Sequence, residues 1–132
     1  MNNHYRTNKH SKFLLMYHFI LVVKYRKNLL NLYGDSMRTF VYEIASKSDF
    51  DIAEMEVDKD HMHLMIESVP KISPLQIIRR LKQETTIQIW KLYPELKKYF
   101  WNENTFWSDG YFCSSIGNAS IETIKQYIQS QG

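Results

Sequence analysis

The sequence predicts an α+β domain: a ferredoxin-like (RRM-like) split βαβ antiparallel sheet with one extra C-terminal helix. Three observations lead there. Strand-like and helix-like stretches follow one another in the order β-α-β-β-α-β-α. His61 to Ser68 alternates, with Met62, Leu64 and Ile66 on one face and His61, His63 and Met65 on the other. Ser73-Pro74 is a cap followed by a first-turn proline, and Leu75, Ile78, Leu81, Ile89 and Trp90 continue in helical spacing up to Pro94.

The remaining elements follow in chain order. Phe13 to Tyr25 is rich in aromatic and β-branched residues and reads as a long first strand. Gly34-Asp35-Ser36 offers a turn and an N-cap, after which Met37, Phe40, Val41 and Ile44 give helical periodicity to about Ser48. Asp49 to Asp58 reads as a second strand, with Ile52, Met55 and Val57 among polar residues. Asp58-Lys59-Asp60 then makes a tight connection into the third strand, which Pro70 ends. Tyr99 to Gly110 is aromatic and irregular, with Phe100, Trp101, Phe106 and Trp107, and Tyr111 to Ser115 is a short fourth strand. Gly117-Asn118-Ala119-Ser120 supplies a turn and a cap, and Ile121, Ile124 and Ile128 carry the last helix. No repeat, linker or low-complexity segment interrupts residues 1–132, which read as a single domain.

Composition bounds the function. An apolar fraction of 44% and a charged fraction of 23% are those of a soluble globular protein. No run approaches the roughly 20 apolar residues of a membrane span, and the longest, Phe13 to Val23, is broken by Tyr17 and His18. The single cysteine, Cys113, excludes an internal disulfide and a Cys-based zinc knuckle and fits a cytoplasmic protein, in which it reads as a small packed hydrophobe. A net charge of +3 permits nucleic-acid binding without requiring it. The charge is uneven: the first 27 residues hold Arg6, Lys9, Lys12, Lys24, Arg26 and Lys27 and no acidic residue. Arg79, Arg80 and Lys82 form a second basic group on the second helix. Either group alone reads as a solvated surface. Two of them in a chain with nine Tyr, three Trp and seven Phe point to a nucleic-acid surface, where rings stack on unpaired bases and Lys and Arg track phosphates.

The chemistry-bearing residues are few. His61 and His63, two apart on a strand, share a face with Cα atoms roughly 6.5 to 7 Å apart, near enough for both imidazoles to hold one ion. Tyr127 and Gln131 are spaced i, i+4 and stack on one face of the last helix. Beside the histidines, that face would set a phenol nucleophile next to a divalent cation, an arrangement suited to attack on a phosphodiester. Taken singly, each has a plainer reading: packed or surface histidines, a core or surface tyrosine, a solvated glutamine near a chain end. Glu54, Glu56, Asp58 and Asp60 read equally as metal ligands and as strand-edge charges, and His4, His10 and His18 have no informative spacing.

In combination these segments form a pattern. Met16-Tyr17-His18-Phe19 with Lys24-Tyr25-Arg26-Lys27, then Asp58-Lys59-Asp60-His61-Met62-His63-Leu64, come first. Phe106-Trp107-Ser108-Asp109-Gly110-Tyr111-Phe112 and Ile124-Lys125-Gln126-Tyr127-Ile128-Gln129-Ser130-Gln131 complete it. In this order and spacing the chain resembles the single-tyrosine HUH transposases of the insertion-sequence 200/605 family, from about Lys12 to Gln131. The resemblance implies a transposase that binds imperfect single-stranded DNA hairpins at transposon ends and cuts the strand outside them. It implies Tyr127 as the nucleophile, on the extra helix, forming a 5′-phosphotyrosine link and freeing a 3′-OH. It also implies one Mg²⁺ or Mn²⁺ held by His61, His63 and Gln131. Such enzymes form homodimers through merged sheets, and the tyrosine helix of one subunit can serve the histidine pair of the other. One departure stands out: where members often carry Gly after Leu-Lys in the second helix, Leu81-Lys82 is followed here by Gln83.

The chemistry agrees with that reading. A phenol with pKa near 10 needs activation or a polarised target to attack at neutral pH, and a cation between two imidazoles polarises a phosphate. A covalent protein–DNA bond conserves the energy of the cut phosphodiester, which fits a chain without a P-loop. Mixed imidazole and amide ligation implies weak, millimolar metal dependence. The residues leave two alternatives. One is a non-catalytic, dimeric single-strand or hairpin binder; the other is a metal-dependent nuclease that activates water and survives loss of Tyr127. The DNA-contacting residues expected are Lys24, Arg26, Lys27, Arg79, Arg80 and Lys82.

Overall fold

The computed structural model describes residues 6–7, 12–13, 15–101, 104–115 and 121–131. A small ribbon pairs β1 (Arg6–Thr7) with β2 (Lys12–Phe13). The main elements are β3 (Leu15–Val22), α1 (Leu30–Ser46), β4 (Asp51–Val57), β5 (His61–Ser68), α2 (Pro74–Leu92), β6 (Phe112–Ser115) and α3 (Ile121–Ser130), with 3-10 segments at Lys24–Arg26 and Pro94–Phe100. The four longer strands form one antiparallel sheet in the order β4-β5-β3-β6. β3 and β4, joined through α1, therefore flank β5, which is the split βαβ arrangement expected. The fall of the Gly117-Asn118-Ala119-Ser120 turn and cap lies outside the described residues.

One face of the sheet carries the core. Met62, Leu64 and Ile66 of β5 are fully buried, in register with Leu21, Phe19 and Tyr17 of β3. Met37, Phe40, Val41 and Ile44 of α1, and Ile77, Ile78, Leu81 and Ile89 of α2, cover them. Ile52, Met55 and Val57 reach this face although their spacing is not strictly two. A register shift between Ile52 and Glu54 absorbs one residue, so Ile52 and Met55 stand opposite Ile66 and Leu64. The same shift places Glu54 and Glu56 opposite Met65 and His63 on the other face. α2 begins with the full capping box: Ser73 Oγ accepts from the Gln76 backbone N–H, and Gln76 Oε1 accepts from the Ser73 N–H. Among the described residues no helix is long and apolar enough to cross a membrane.

Three local expectations are corrected. The first strand ends at Val22 rather than Tyr25, because Val23 bridges Trp107 and the chain then turns with Tyr25 and Arg26 at φ of 60° and 50°. Leu75 is exposed, and Ile77 takes the inward position. Most instructive, Gly34-Asp35-Ser36 is no turn: α1 starts at Leu30 and runs through Gly34. Gly34 is buried where the helix crosses β4, and a side-chain carbon there would stand 3.1 Å from Val57 Cγ1. The glycine answers a packing demand between distant segments, at a helix-propensity cost of about 1 kcal/mol relative to alanine.

Gly34→Leu is expected to lower the unfolding free energy by about 1–3 kcal/mol through overpacking, read by urea denaturation. Val57→Ala in the same chain should recover part of that loss. Strictly additive effects of the two substitutions would show that the contact between them is not the cause.

Candidate active site

The second face of the sheet carries the candidate chemistry, and the pairing of β3 with β5 builds it. Val22 stands opposite His61, Ile20 opposite His63 and His18 opposite Met65, so these residues share the face away from the core. The His61 and His63 rings have centroids 5.1 Å apart. His61 Nδ1 donates to Asp60 Oδ1 at 2.8 Å, while Arg26 Nε donates to Asp60 Oδ2 at 3.4 Å. Asp60 is only 4% exposed, so its carboxylate acts as a buried anchor between a histidine and an arginine. Burial alone would raise its pKa, but hydrogen bonds and charge from His61 and Arg26 outweigh that and hold it below the ordinary range. A histidine whose Nδ1–H is fixed by a carboxylate presents Nε2 outward in a set tautomer, as metal-binding histidines do.

His18 joins this pair, although its sequence position gave no reason to expect it. Its Nε2 lies 3.2 Å from His63 Nδ1, one ring donating to the other. Burial, foremost, lowers the pKa of both; for His63 the charges of His61 and His18 act in the same direction, against Glu56 and Asp58. Both rings are therefore neutral at neutral pH. His18, Glu54, Glu56, His63 and Met65 line an open depression of about 170 Å³. Of the four acidic residues, Asp60 orients His61, Asp58 is exposed with a carboxylate oxygen 4.0 Å from His61 Nε2, and Glu56 stands beside His63. Among the described residues no group of three His, Cys, Asp or Glu side chains is arranged to hold an ion.

Tyr127 and Gln131 lie together at the β6 side of the same face. The Tyr127 ring packs on Phe112, centroids 5.7 Å apart, and Phe112 stands opposite Ile20, which stands opposite His63. At Gly110, a side-chain carbon would be 3.5 Å from Tyr127 Oη and 3.9 Å from Gln131 Oε1, so both polar ends converge on that glycine. The Tyr127 hydroxyl is buried and has no hydrogen-bond partner among the described residues. Burial pushes its pKa up to about 12, leaving a neutral phenol at rest. His63 and Phe112 are two strand spacings apart, about 10 Å between backbones. Among the described residues no hydrogen bond or ring contact joins Tyr127 or Gln131 to His61 or His63. Within one chain the site thus comes as two halves on one face, bridged by His18, whose ring meets Phe112 edge-on with centroids 6.5 Å apart.

The six basic residues take different roles. Lys82 donates from Nζ to the carbonyls of Ser108 (2.8 Å), Asp109 (3.1 Å) and Gly110 (2.7 Å), clamping the loop on which Tyr127 rests. Its three N–H groups are all engaged, and burial lowers its pKa while Asp109 opposes that. Arg80 pairs with Glu84 along α2, Arg26 with Asp60, and Lys24 approaches Asp109 at 3.8 Å. Lys27 lies over the Tyr99 ring at 6.0 Å, and Arg79 is exposed beside an open depression also lined by Lys82, Gln83 and Trp90. Cys113 packs against the core as a free thiol, raised in pKa by burial.

Residues 11–131 match the family model described as "Transposase IS200 like". The ISDra2 transposase TnpA of Deinococcus radiodurans is 30% identical over 118 residues, spanning 89% of this chain and 84% of that relative. The transposase for insertion sequence element IS200 of Salmonella typhimurium is 26% identical over 125 residues, spanning 92% of this chain and 80% of the relative. Two solved structures share the fold. A crystal structure from Deinococcus radiodurans R1, described as that of a transposase, superposes with a TM-score of 0.87 at 24% identity, covering 96% and 97% of the two chains. A REP-associated tyrosine transposase bound to a REP hairpin superposes with a TM-score of 0.56 at 13% identity, covering 92% of this chain and 68% of the other.

Two outcomes follow from the tyrosine half. Lys82→Met should speed hydrogen exchange at the amides of residues 109–111 while leaving α1 protected, with about 1–3 kcal/mol of stability lost with the charged donor; unchanged exchange there would show that the clamp is dispensable. For Tyr127, the folded chain retains a proton that the unfolded chain releases between pH 10 and about 12. Its contribution is fully present below pH 10 and is lost as pH rises through that window. Denaturation midpoints of the wild type should therefore fall more steeply with pH there than those of Tyr127→Phe.

Proposed function

The chain belongs to the IS200-like transposase family, and from that premise we propose that it cuts and rejoins single-stranded DNA at insertion-sequence ends through a covalent bond to Tyr127. The observation that carries this reading is the buried, unpartnered phenol of Tyr127, set with Gln131 on the same sheet face as the oriented His61–His63 pair. The substrate proposed is a strand with imperfect hairpins at the transposon ends.

The donor set fits a divalent ion. His61 is held in one tautomer by Asp60, and His63 is neutral, so each offers a ring nitrogen lone pair. We propose that His61, His63 and Gln131 hold Mg²⁺ or Mn²⁺, which when bound would polarise the scissile phosphate and offset charge in the transition state. Tyr127 Oη forms the new bond to phosphorus and loses its proton. The bond from phosphorus to the 3′ oxygen breaks, and that oxygen leaves as a protonated 3′-OH. A second 3′-OH attacking the 5′-phosphotyrosine reverses the step and restores the phenol, so no net energy source is needed. The working unit proposed is a homodimer in which α3 of one protomer brings Tyr127 and Gln131 to the histidine pair of the other.

Incubating the protein with Mg²⁺ or Mn²⁺ and end-labelled hairpin DNA from the element's flanks should give a protein–DNA adduct on the 3′ fragment in denaturing gels. Tyr127→Phe should abolish the adduct while leaving binding intact. Asp60→Ala should weaken the apparent metal affinity about 10–100-fold through loss of the anchor on His61, from a wild-type requirement in the millimolar range. Tight binding without an adduct would favour the binding module, and cleavage without an adduct the water-activating nuclease.

A further inference from the structure

All the non-glycine residues with positive φ among the described residues, Tyr25 (60°), Arg26 (50°) and Trp101 (52°), fall in one cluster. Bulky side chains rarely adopt that conformation, and its concentration at one place marks a geometry imposed by the fold. The cluster displays aromatic rings outward. Trp101 is 79% exposed, Tyr99 48% and Tyr25 43%. The Tyr25 and Trp101 rings lie against each other with centroids 5.8 Å apart, tilted by 47°. Cations surround them: Lys24 Nζ is 5.8 Å from the Tyr25 ring centre, and Lys27 and Lys98 lie 6.0 and 5.9 Å from that of Tyr99.

We propose that Tyr25 and Trp101 form a stacking platform for an unpaired base of the DNA strand that passes the His61–His63 site. Three arguments converge. Exposed rings flanked by lysines match the chemistry of single-stranded DNA, whose bases stack on aromatics while its phosphates need positive charge. The platform is tied to the site through Arg26, the neighbour of Tyr25, which bonds the same Asp60 carboxylate that orients His61. The left-handed backbone at Tyr25 and Arg26 sends successive side chains in divergent directions, one ring outward and one guanidinium inward to Asp60. The proposal takes only the identity of the strand from the transposase reading and does not depend on covalent chemistry at Tyr127.

The probe is a single-stranded oligonucleotide with a hairpin and unpaired flank from the element's end, compared with the same hairpin trimmed flush. Trp101→Ala should weaken binding to the flanked probe about tenfold and leave the flush hairpin unaffected, while Trp101→Phe retains most of the affinity. Bound flanked DNA should also shield the wild-type chain from acrylamide quenching, because Trp107 is buried and Trp90 half-buried, leaving Trp101 as the accessible fluorophore. Equal binding of both probes by wild type and Trp101→Ala, equal losses on both probes, or a shift from dimer to monomer in Trp101→Ala would each overturn the proposal. Because Trp101 is exposed, its loss leaves folding intact, which an unchanged melting temperature checks. If the flanked probe shows the tenfold loss but the wild type forms no adduct, the platform stands and the covalent reading fails; an adduct with Trp101→Ala binding as wild type gives the reverse.

Discussion

The antiparallel pairing of β3 with β5 is the constraint on which the rest depends. Its register runs unbroken from Leu15 opposite Ser68 to Val22 opposite His61, at the centre of the sheet. Because side chains alternate with period two, a slip of one residue would send His61 and His63 into the core and Met62 and Leu64 into solvent. Burial of Phe19, Leu21, Met62, Leu64 and Ile66 against two helices makes such a slip prohibitive. The hydrophobic face thus specifies the polar one: the histidines are aligned because the residues between them are packed.

Partnered polar groups do the finer positioning, and each ties distant segments together. Asp60 joins the β5 end to the turn after β3 through His61 and Arg26. Lys82 joins α2 to the loop before β6 through three carbonyls, and Thr85 Oγ1 accepts from Trp107 Nε1 just below it. A buried carboxylate such as Asp60 would be strongly destabilising without a partner; partnered, it and the half-buried Lys82 each pin a loop that apolar packing alone would leave less defined. The two anchors serve the two halves of the site, Asp60 the histidines and Lys82 the seat of Tyr127.

Much of this was legible in the sequence because it is local. Alternation along His61 to Ser68, the Ser73-Pro74 start and the i, i+4 spacing of Tyr127 and Gln131 are each contained within one element, so their faces followed from period alone. What escaped depends on approach between segments far apart in the chain. His18 meets His63 only through strand register across 45 positions. Lys82 resembles any basic residue on an amphipathic helix until the 108–110 carbonyls are placed beside its amine. Gly34 beside Asp35-Ser36 has the local chemistry of a turn, yet the nearness of Val57 decides for a helix that has no room for a side chain there. Tyr25 and Trp101 are separated by most of the fold and meet where both backbones turn left-handed.

The division of the site into two halves has a physical logic of its own. Burial pushes the Tyr127 phenol up to about 12, so held against Gly110 and Phe112 it rests as a neutral, protonated group. In the other half the rings of His18 and His63, packed against each other, are neutral, and the Asp60–Arg26 pair beside them carries charge. For the proposed reaction neither half would be a complete catalyst alone. The proposed nucleophile, Tyr127, is carried on the last helix and rests on the Phe112 ring and beside Gly110, and in the proposed exchange it would move to the histidine pair of the other protomer. An enzyme proposed to cut one strand and join it to another needs that property: the tyrosine must hold the 5′ phosphate while its position relative to the second site changes. A tyrosine built into the central sheet would be fixed to one histidine pair, and it could not make the proposed transfer.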